Sequence, residues 1–236
     1  MGSVSDFLGN MDWWGLITLL ISAAASLLCI TFHELAHGFT AYRLGDPTAK
    51  NAGRLTLNPI RHLDIIGLIM MLIVKVGWAK PVPVDMRNFK HPKRGMALTA
   101  VAGPVSNFIM ALLAVGGCSL IYHFVPVTRV SLLILCFLAN LALLSVGCGI
   151  FNLIPISPLD GSKVLFALLP DRIYYKILRY EKFVMIALIV LVLIGVFDTP
   201  LSFLMTRVLH GLCMLTGMPL EFLWVGLNID EILSFI

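Results

Sequence analysis

The chain has 236 residues, of which 59% are hydrophobic and only 13% charged, with 17 Lys and Arg against 13 Asp and Glu. A soluble domain of this size needs about twice that share of charge to cover its surface, so a soluble enzyme or binding module is excluded and an integral membrane protein is indicated. The net charge of +4 does not point to nucleic acid, because the basic residues are spread over loops between apolar runs, where membrane topology accounts for them.

In chain order, the N-terminus carries Asp6 and no Lys or Arg before the first apolar run. It therefore lacks the basic stretch of a cleavable signal, and the first span is expected to stay in the protein. Residues 13–32 are uncharged and mostly apolar, and about 20 such residues cross a bilayer core as helix. The helix can continue to Leu44, where Gly45-Asp46-Pro47 supplies a stop. A polar loop follows over 46–64. Residues 65–74 are apolar but too few to span, and read as a short re-entrant helix. GWAKPVPVD, residues 77–85, has two prolines that block a helix and an alternating pattern that suits an exposed extended edge. Residues 95–127 contain no Lys, Arg, Asp or Glu and hold one long span. Residues 130–159 hold another, and 183–197 a shorter third. Residues 201–220 are apolar but carry Arg207 and His210, which suits an interfacial helix or one packed on the bundle. Cys29, Cys118, Cys136, Cys148 and Cys213 all fall in apolar segments without CxxC spacing and read as small packing residues.

The expected fold is an all-α polytopic membrane protein, a bundle of about 4–6 transmembrane helices with a short re-entrant helix and a membrane-associated β-loop. One domain covers 1–236, with a core at about 13–165 and C-terminal helices at about 178–236. Of the 17 Lys and Arg, 15 lie at 43–64, 75–94 and 157–182. The positive-inside rule then puts these loops in the cytoplasm and the N-terminus outside.

His33-Glu34-Leu35-Ala36-His37 is an HExxH pattern at the cytoplasmic end of the first helix. Positions i and i+4 share one helix face, so both imidazoles can reach one metal ion, with Glu34 beside them to take a proton from a water. Chance matches to the pattern number about 0.003 for a chain of this composition, which disfavours a pair of structural histidines. Ionisable groups at membrane depth are also unfavourable unless they serve a function. Zinc suits such a site, because it takes N and O ligands and keeps a position open for water. A third ligand is needed. In NLIPISPLDG, residues 152–161, Asp160 ends a long uncharged run, and the topology returns it to the level of His33 and His37. Pro155 and Pro158 interrupt the helix just before it. His62 and Asp64 compete as ligands but fit better as groups that orient their polar loop. Cys29 lies one turn before His33 and reads as packing. Asn107 and Asn152 are amides in apolar stretches. They either hydrogen-bond across helices or hold substrate backbone and the oxyanion, while Asn140 reads as structural.

HELAH after an apolar helix, GPVSN at 103–107 and NLIPISPLDG at 152–161 resemble the site-2 protease family of intramembrane zinc metalloproteases (peptidase family M50), and FHELAHGFTAYRLGDPTAKNAGRLTLNP with GWAKPVPVD is similar to its short bacterial-type members. The resemblance covers roughly residues 15–200. It implies one Zn2+ per chain held by His33, His37 and Asp160, with Glu34 as the catalytic residue and functional weight on Asn152. It further implies membrane-protein substrates, often single-pass, cut in or beside a transmembrane helix, and a β-loop that holds the unwound substrate. The implied setting is a multi-pass protein of the cell (inner) membrane, in contact with the lipid bilayer and with no nucleic-acid partner. The chain has no room for the PDZ or CBS domain of larger relatives. A homo-oligomer is compatible with the unassigned C-terminal tail. The competing reading is a non-hydrolytic membrane zinc-binding, sensor or transport protein. Glu34 argues against it, as does the absence of the inverted repeats expected of transporters.

Overall fold

The computed structural model describes residues 13–64, 67, 79–170 and 180–225. The chain is an all-α membrane protein. Helix α1 spans Trp13–Arg43, followed by the single turn α2 (Thr48–Asn51), α3 (Pro92–Phe124), α4 (Arg129–Asn152), α5 (Asp160–Leu168), α6 (Glu181–Leu193), α7 (Asp198–Thr216) and α8 (Leu220–Val225), with short 3-10 turns at Pro59–His62 and Met86–Asn88. Among the described residues no β-strand forms. The only pairing of that kind is one antiparallel bridge between Leu63 and Ala79.

Among the described residues three helices are long and apolar enough to cross a membrane: Gly15–Arg43, Pro92–Phe124 and Arg129–Asn152. Glu181–Leu193 and Asp198–Thr216 meet at a 79° bend and make either a fourth, broken span or a re-entrant loop. The break follows Gly195, whose φ of +76° is open to glycine and strained for other residues. The described residues thus carry three or four spans, against the expected 4–6. The expected re-entrant helix at 65–74 lies outside the described residues, apart from Gly67.

Lipid is the solvent of the outer surface. Leu19 is 64% exposed, Leu113 66% and Phe183 70%, which water would penalise and hydrocarbon does not. Inside, α1, α3 and α4 pack through small residues. Ala25, Cys29, Ala111, Ala114, Cys118, Ala139 and Ala142 form the buried seam. Without a hydrophobic drive in lipid, such residues let helix backbones approach and gain dispersion contacts. Asn140 accepts a hydrogen bond from Ser22 Oγ across the α1–α4 contact (2.9 Å), the structural role expected of it. α5 packs on α3, and α7 on α4 and α3.

The ends of the elements position the site. α1 stops at Arg43, and Gly45 takes a φ of +107° that turns the chain out of the helix. α4 ends at Asn152 rather than continuing to 159, because Pro155 has no N–H to carry the ladder on and disfavours helix in the residue before it. The chain turns through 153–159, with a cis Ser157–Pro158 peptide, and restarts as α5 at Asp160. A Cβ on Gly161 would run into the Leu153 carbonyl, so the tight return of this loop requires glycine.

Candidate active site

α1 places His33 and His37 one turn apart on the face turned toward α3, with ring centroids 4.6 Å apart and ring planes at 87°. Their Nε2 atoms are 3.0 Å apart. The start of α5 brings Asp160 Oδ2 to 3.1 Å from His33 Nε2 and 2.9 Å from His37 Nε2. All three residues are buried. Among the described residues they are the one group of three or more His, Cys, Asp or Glu side chains that could hold a metal ion.

The donor set fits zinc. A tetrahedral ion with ligand bonds of about 2.0–2.1 Å sets its donors about 3.3 Å apart. The three atoms here are within a few tenths of an ångström of that, and two nitrogens with one carboxylate leave a fourth position for water or substrate. Burial alone would raise the Asp160 carboxyl. Hydrogen bonds from His33 and His37 and the charges of His37 and Lys163 outweigh it and hold the carboxyl well below the usual carboxylate range.

Each of the three is oriented from behind. His37 Nδ1 lies 2.7 Å from the Thr99 carbonyl on α3 and donates to it. Lys163 Nζ, one turn along α5, donates to Asp160 Oδ1 (2.9 Å) and leaves Oδ2 facing the histidines. The Asn107 amide sits 3.0 Å from His33 Nδ1 and is fully buried. The nearer end of the amide is Nδ2; when Nε2 of His33 serves as a ligand, Nδ1 carries the ring proton, and the amide, turned over, presents its oxygen to accept it. Cys29 Sγ lies 3.8 Å from the same amide, so it is a neighbour of Asn107 and outside the cluster. Gly103 lets α3 come this close. A Cβ there would press on His37 Nε2 and come within 2.7 Å of His33 Cε1.

Glu34 is half-buried beside the cluster, and its Oε2 accepts the N–H of Val82 (2.9 Å). Val82 belongs to the extended strap 79–85, the described part of the expected β-loop. The strap is fixed at both ends. Lys80 N–H donates to the His62 carbonyl (2.9 Å), and Asp85 N–H to Asp46 Oδ2 (2.8 Å). Asp46, fully buried just past α1, also accepts from Thr48 N–H (3.0 Å) and Asn88 Nδ2 (2.7 Å). Burial raises its carboxyl, but these donors and the Thr48 hydroxyl win and lower it. Pro81 and Pro83 flank Val82 and have no N–H. The one amide between Lys80 and Val84 is therefore committed to Glu34.

Asn152 Nδ2 donates to the Cys148 carbonyl one turn back on its own helix (3.0 Å). His62 is buried with Nε2 2.9 Å from the Thr56 carbonyl, and Asp64 Oδ1 accepts from Gly67 N–H (2.9 Å). Both fold their own loop, away from the cluster. Sequence reasoning missed Thr99, Lys163, Asp46 and the Val82 amide. Only Lys163, three residues after Asp160 at helical spacing, had a local signal.

A sequence profile for Peptidase family M50 matches residues 115–196. A protein of Bacillus subtilis (strain 168) named "Putative zinc metalloprotease YwhC" is 39% identical over 188 residues, covering 79% of this chain and 80% of its own length. The chain belongs to peptidase family M50. Rip2 of Mycobacterium tuberculosis (strain ATCC 25618 / H37Rv), under the same style of name, is 31% identical over 183 residues, 76% of this M50 peptidase and 68% of its own length. The zinc metalloprotease MJ0392 of Methanocaldococcus jannaschii is 25% identical over 170 residues, 72% of this chain but 39% of its own. No solved structure matches the chain.

Proposed function

We propose that this M50 peptidase is an intramembrane zinc metalloprotease that hydrolyses peptide bonds in or beside the transmembrane helices of membrane-protein substrates, single-pass ones above all. The observation that carries the reading is the convergence of His33 Nε2, His37 Nε2 and Asp160 Oδ2 within 3.1 Å of one another, next to a glutamate one residue from the first histidine. His33, His37 and Asp160 would hold Zn2+, one per chain. Bound there, zinc supplies Lewis acidity that makes water nucleophilic near neutral pH and offsets charge on the scissile carbonyl. Glu34 takes the proton of the attacking water and returns it to the leaving amine. Asn107 and Thr99 hold the imidazoles in the ligating tautomer. Asn152 would serve as an amide donor for substrate backbone by releasing its bond to the Cys148 carbonyl.

A transmembrane helix keeps its amides bonded internally, so cleavage requires local unwinding. The strap at 79–85 is an extended segment against which the loosened chain can lie. By the positive-inside rule the active site would lie near the cytoplasmic face of the cell (inner) membrane, with the N-terminus outside; the basic loops support this reading. Residues 1–236 act as one domain, with the catalytic core at about 13–165.

The test is cleavage of a tagged single-pass protein co-reconstituted in liposomes, by wild type and by Glu34→Gln, with zinc measured on both. Cleavage by wild type alone, with equal zinc in the two, is the expected result. Equal cleavage by Glu34→Gln overturns the role of Glu34. A wild type without zinc overturns the ligand assignment.

A further inference from the structure

Beside the ligand cluster lies a cavity of about 560 Å³ that the proteolytic reading does not use. It opens between the start of α3 and the first turns of α5, and its lining includes Lys93, Arg94, Lys163, Ser162, Met96 and Phe166. Lys93, Arg94 and Lys163 line it beside one acid, Glu181, which accepts a hydrogen bond from Ser157 (2.8 Å); Lys93 Nζ also donates to the Leu169 carbonyl (2.7 Å), which holds its ammonium at the rim. α3 has no side-chain cap at its start, so the positive end of a 33-residue helix opens at the same place. The remaining wall is mostly apolar, with His91 and Ser157 as its other polar side chains. The volume suits a small ligand rather than a peptide domain.

We infer that this cavity binds a phosphate-bearing anionic amphiphile, the headgroup of an anionic phospholipid. Depth selects the lipid. Lys93 and Arg94 stand where the long apolar run of α3 begins, level with the headgroups of the leaflet on the side of the basic loops. The phosphate takes the cationic rim and the Ser162 side, and the glycerol and upper acyl carbons take Met96 and Phe166. Lys163 also donates to Asp160 Oδ1, so the bound headgroup lies one side chain from the ligand cluster. The inference rests on the membrane placement proposed above and is independent of the protease reading.

The test uses the full chain in nanodiscs of phosphatidylcholine that contain a minor fraction of spin-labelled phosphatidylglycerol or, in a parallel set, spin-labelled phosphatidylcholine. Wild type should immobilise phosphatidylglycerol in preference. Lys93→Gln and Arg94→Gln should each lower that preference about fivefold, the effect of removing one basic group near a charged headgroup. Lys93→Arg and Arg94→Lys should keep it, as should Arg129→Gln at the other end of the bundle. Unchanged preference in both glutamine variants overturns the site, and so does an equal loss in Arg129→Gln. Displacement of the labelled lipid by millimolar inorganic phosphate overturns the lipid assignment and makes the occupant free phosphate. Both leaflets have one composition, so the result does not depend on which side the loops face, and no substrate is cleaved.

Discussion

Asn107→Leu is the substitution that separates two roles for a buried amide. Leucine has the branching and the number of side-chain heavy atoms of asparagine, with bulkier tips, so the α1–α3 seam stays filled. What is lost is the partner 3.0 Å from His33 Nδ1. Removing such a partner of a ligating histidine typically weakens metal binding about 10- to 100-fold, or about 1.4–2.7 kcal/mol. An independent route gives the same range. Asn107 is fully buried, so the substitution strands a ring N–H away from water, which costs about 1–3 kcal/mol. Asn107→Asp keeps an acceptor for that N–H and should hold zinc near wild-type affinity. The assay is competition of purified protein against a chromogenic zinc chelator, paired with kcat on a single-pass substrate. Wild-type zinc affinity in Asn107→Leu, with kcat collapsed in both variants, would refute the reasoning. The amide would then be a donor to the developing oxyanion.

Val82→Pro removes the one N–H that reaches Glu34 while keeping an extended backbone between two existing prolines. With a hydrogen bond to a charged acceptor worth about 1.5–3 kcal/mol, kcat should fall about 10- to 100-fold with zinc content and KM little changed, and a wild-type kcat would remove Val82 from the machinery. Gly103→Ala pushes a methyl onto His33 and His37 and should yield folded protein with little bound zinc by elemental analysis; full zinc occupancy would contradict the packing described. Asp46→Asn should lower Tm at neutral pH, because a carboxylate that accepts four hydrogen bonds becomes an amide. The folded pKa of Asp46 is depressed, so its stabilisation is complete above about pH 4 and fades as the pH falls toward the folded value. Thermal melts should converge for wild type and Asp46→Asn at the acid end, and a constant gap would refute the assignment.

What could be read from the sequence was what chain spacing alone decides. A four-residue interval on a helix forces His33 and His37 onto one face whatever surrounds them, and prolines at 155 and 158 end α4 wherever it packs. The span limits shifted for equally local reasons. α3 starts at Pro92 rather than at 95 because Pro suits the first turn and the long stems of Lys93 and Arg94 reach the interface from within a helix. Tertiary information was beyond reach. Whether Asn107 faces a ligand or a substrate depends on how close α3 approaches α1, which Gly103 permits but does not announce. Asp46 read as a helix stop, because its bonds to Asp85 and Asn88 cross a loop of some forty residues. The 79° bend after α6 rests on the φ of one glycine, Gly195, and glycine there is equally compatible with a straight apolar run.

The two prolines around Val82 carry a consequence for what this peptidase can accept. Between Lys80 and Val84 they leave the strap its carbonyls and no free donor, so a chain laid along that stretch must bring the N–H groups itself. An intact helix has none to offer, since each is bound four residues back. The same stretch of a second copy has none either, which disfavours edge pairing there between copies of the protein. In the proposed role of the strap as a substrate edge, it would respond to the conformational state of a passing chain more than to its side chains, holding a frayed stretch and releasing a helical or proline-rich one.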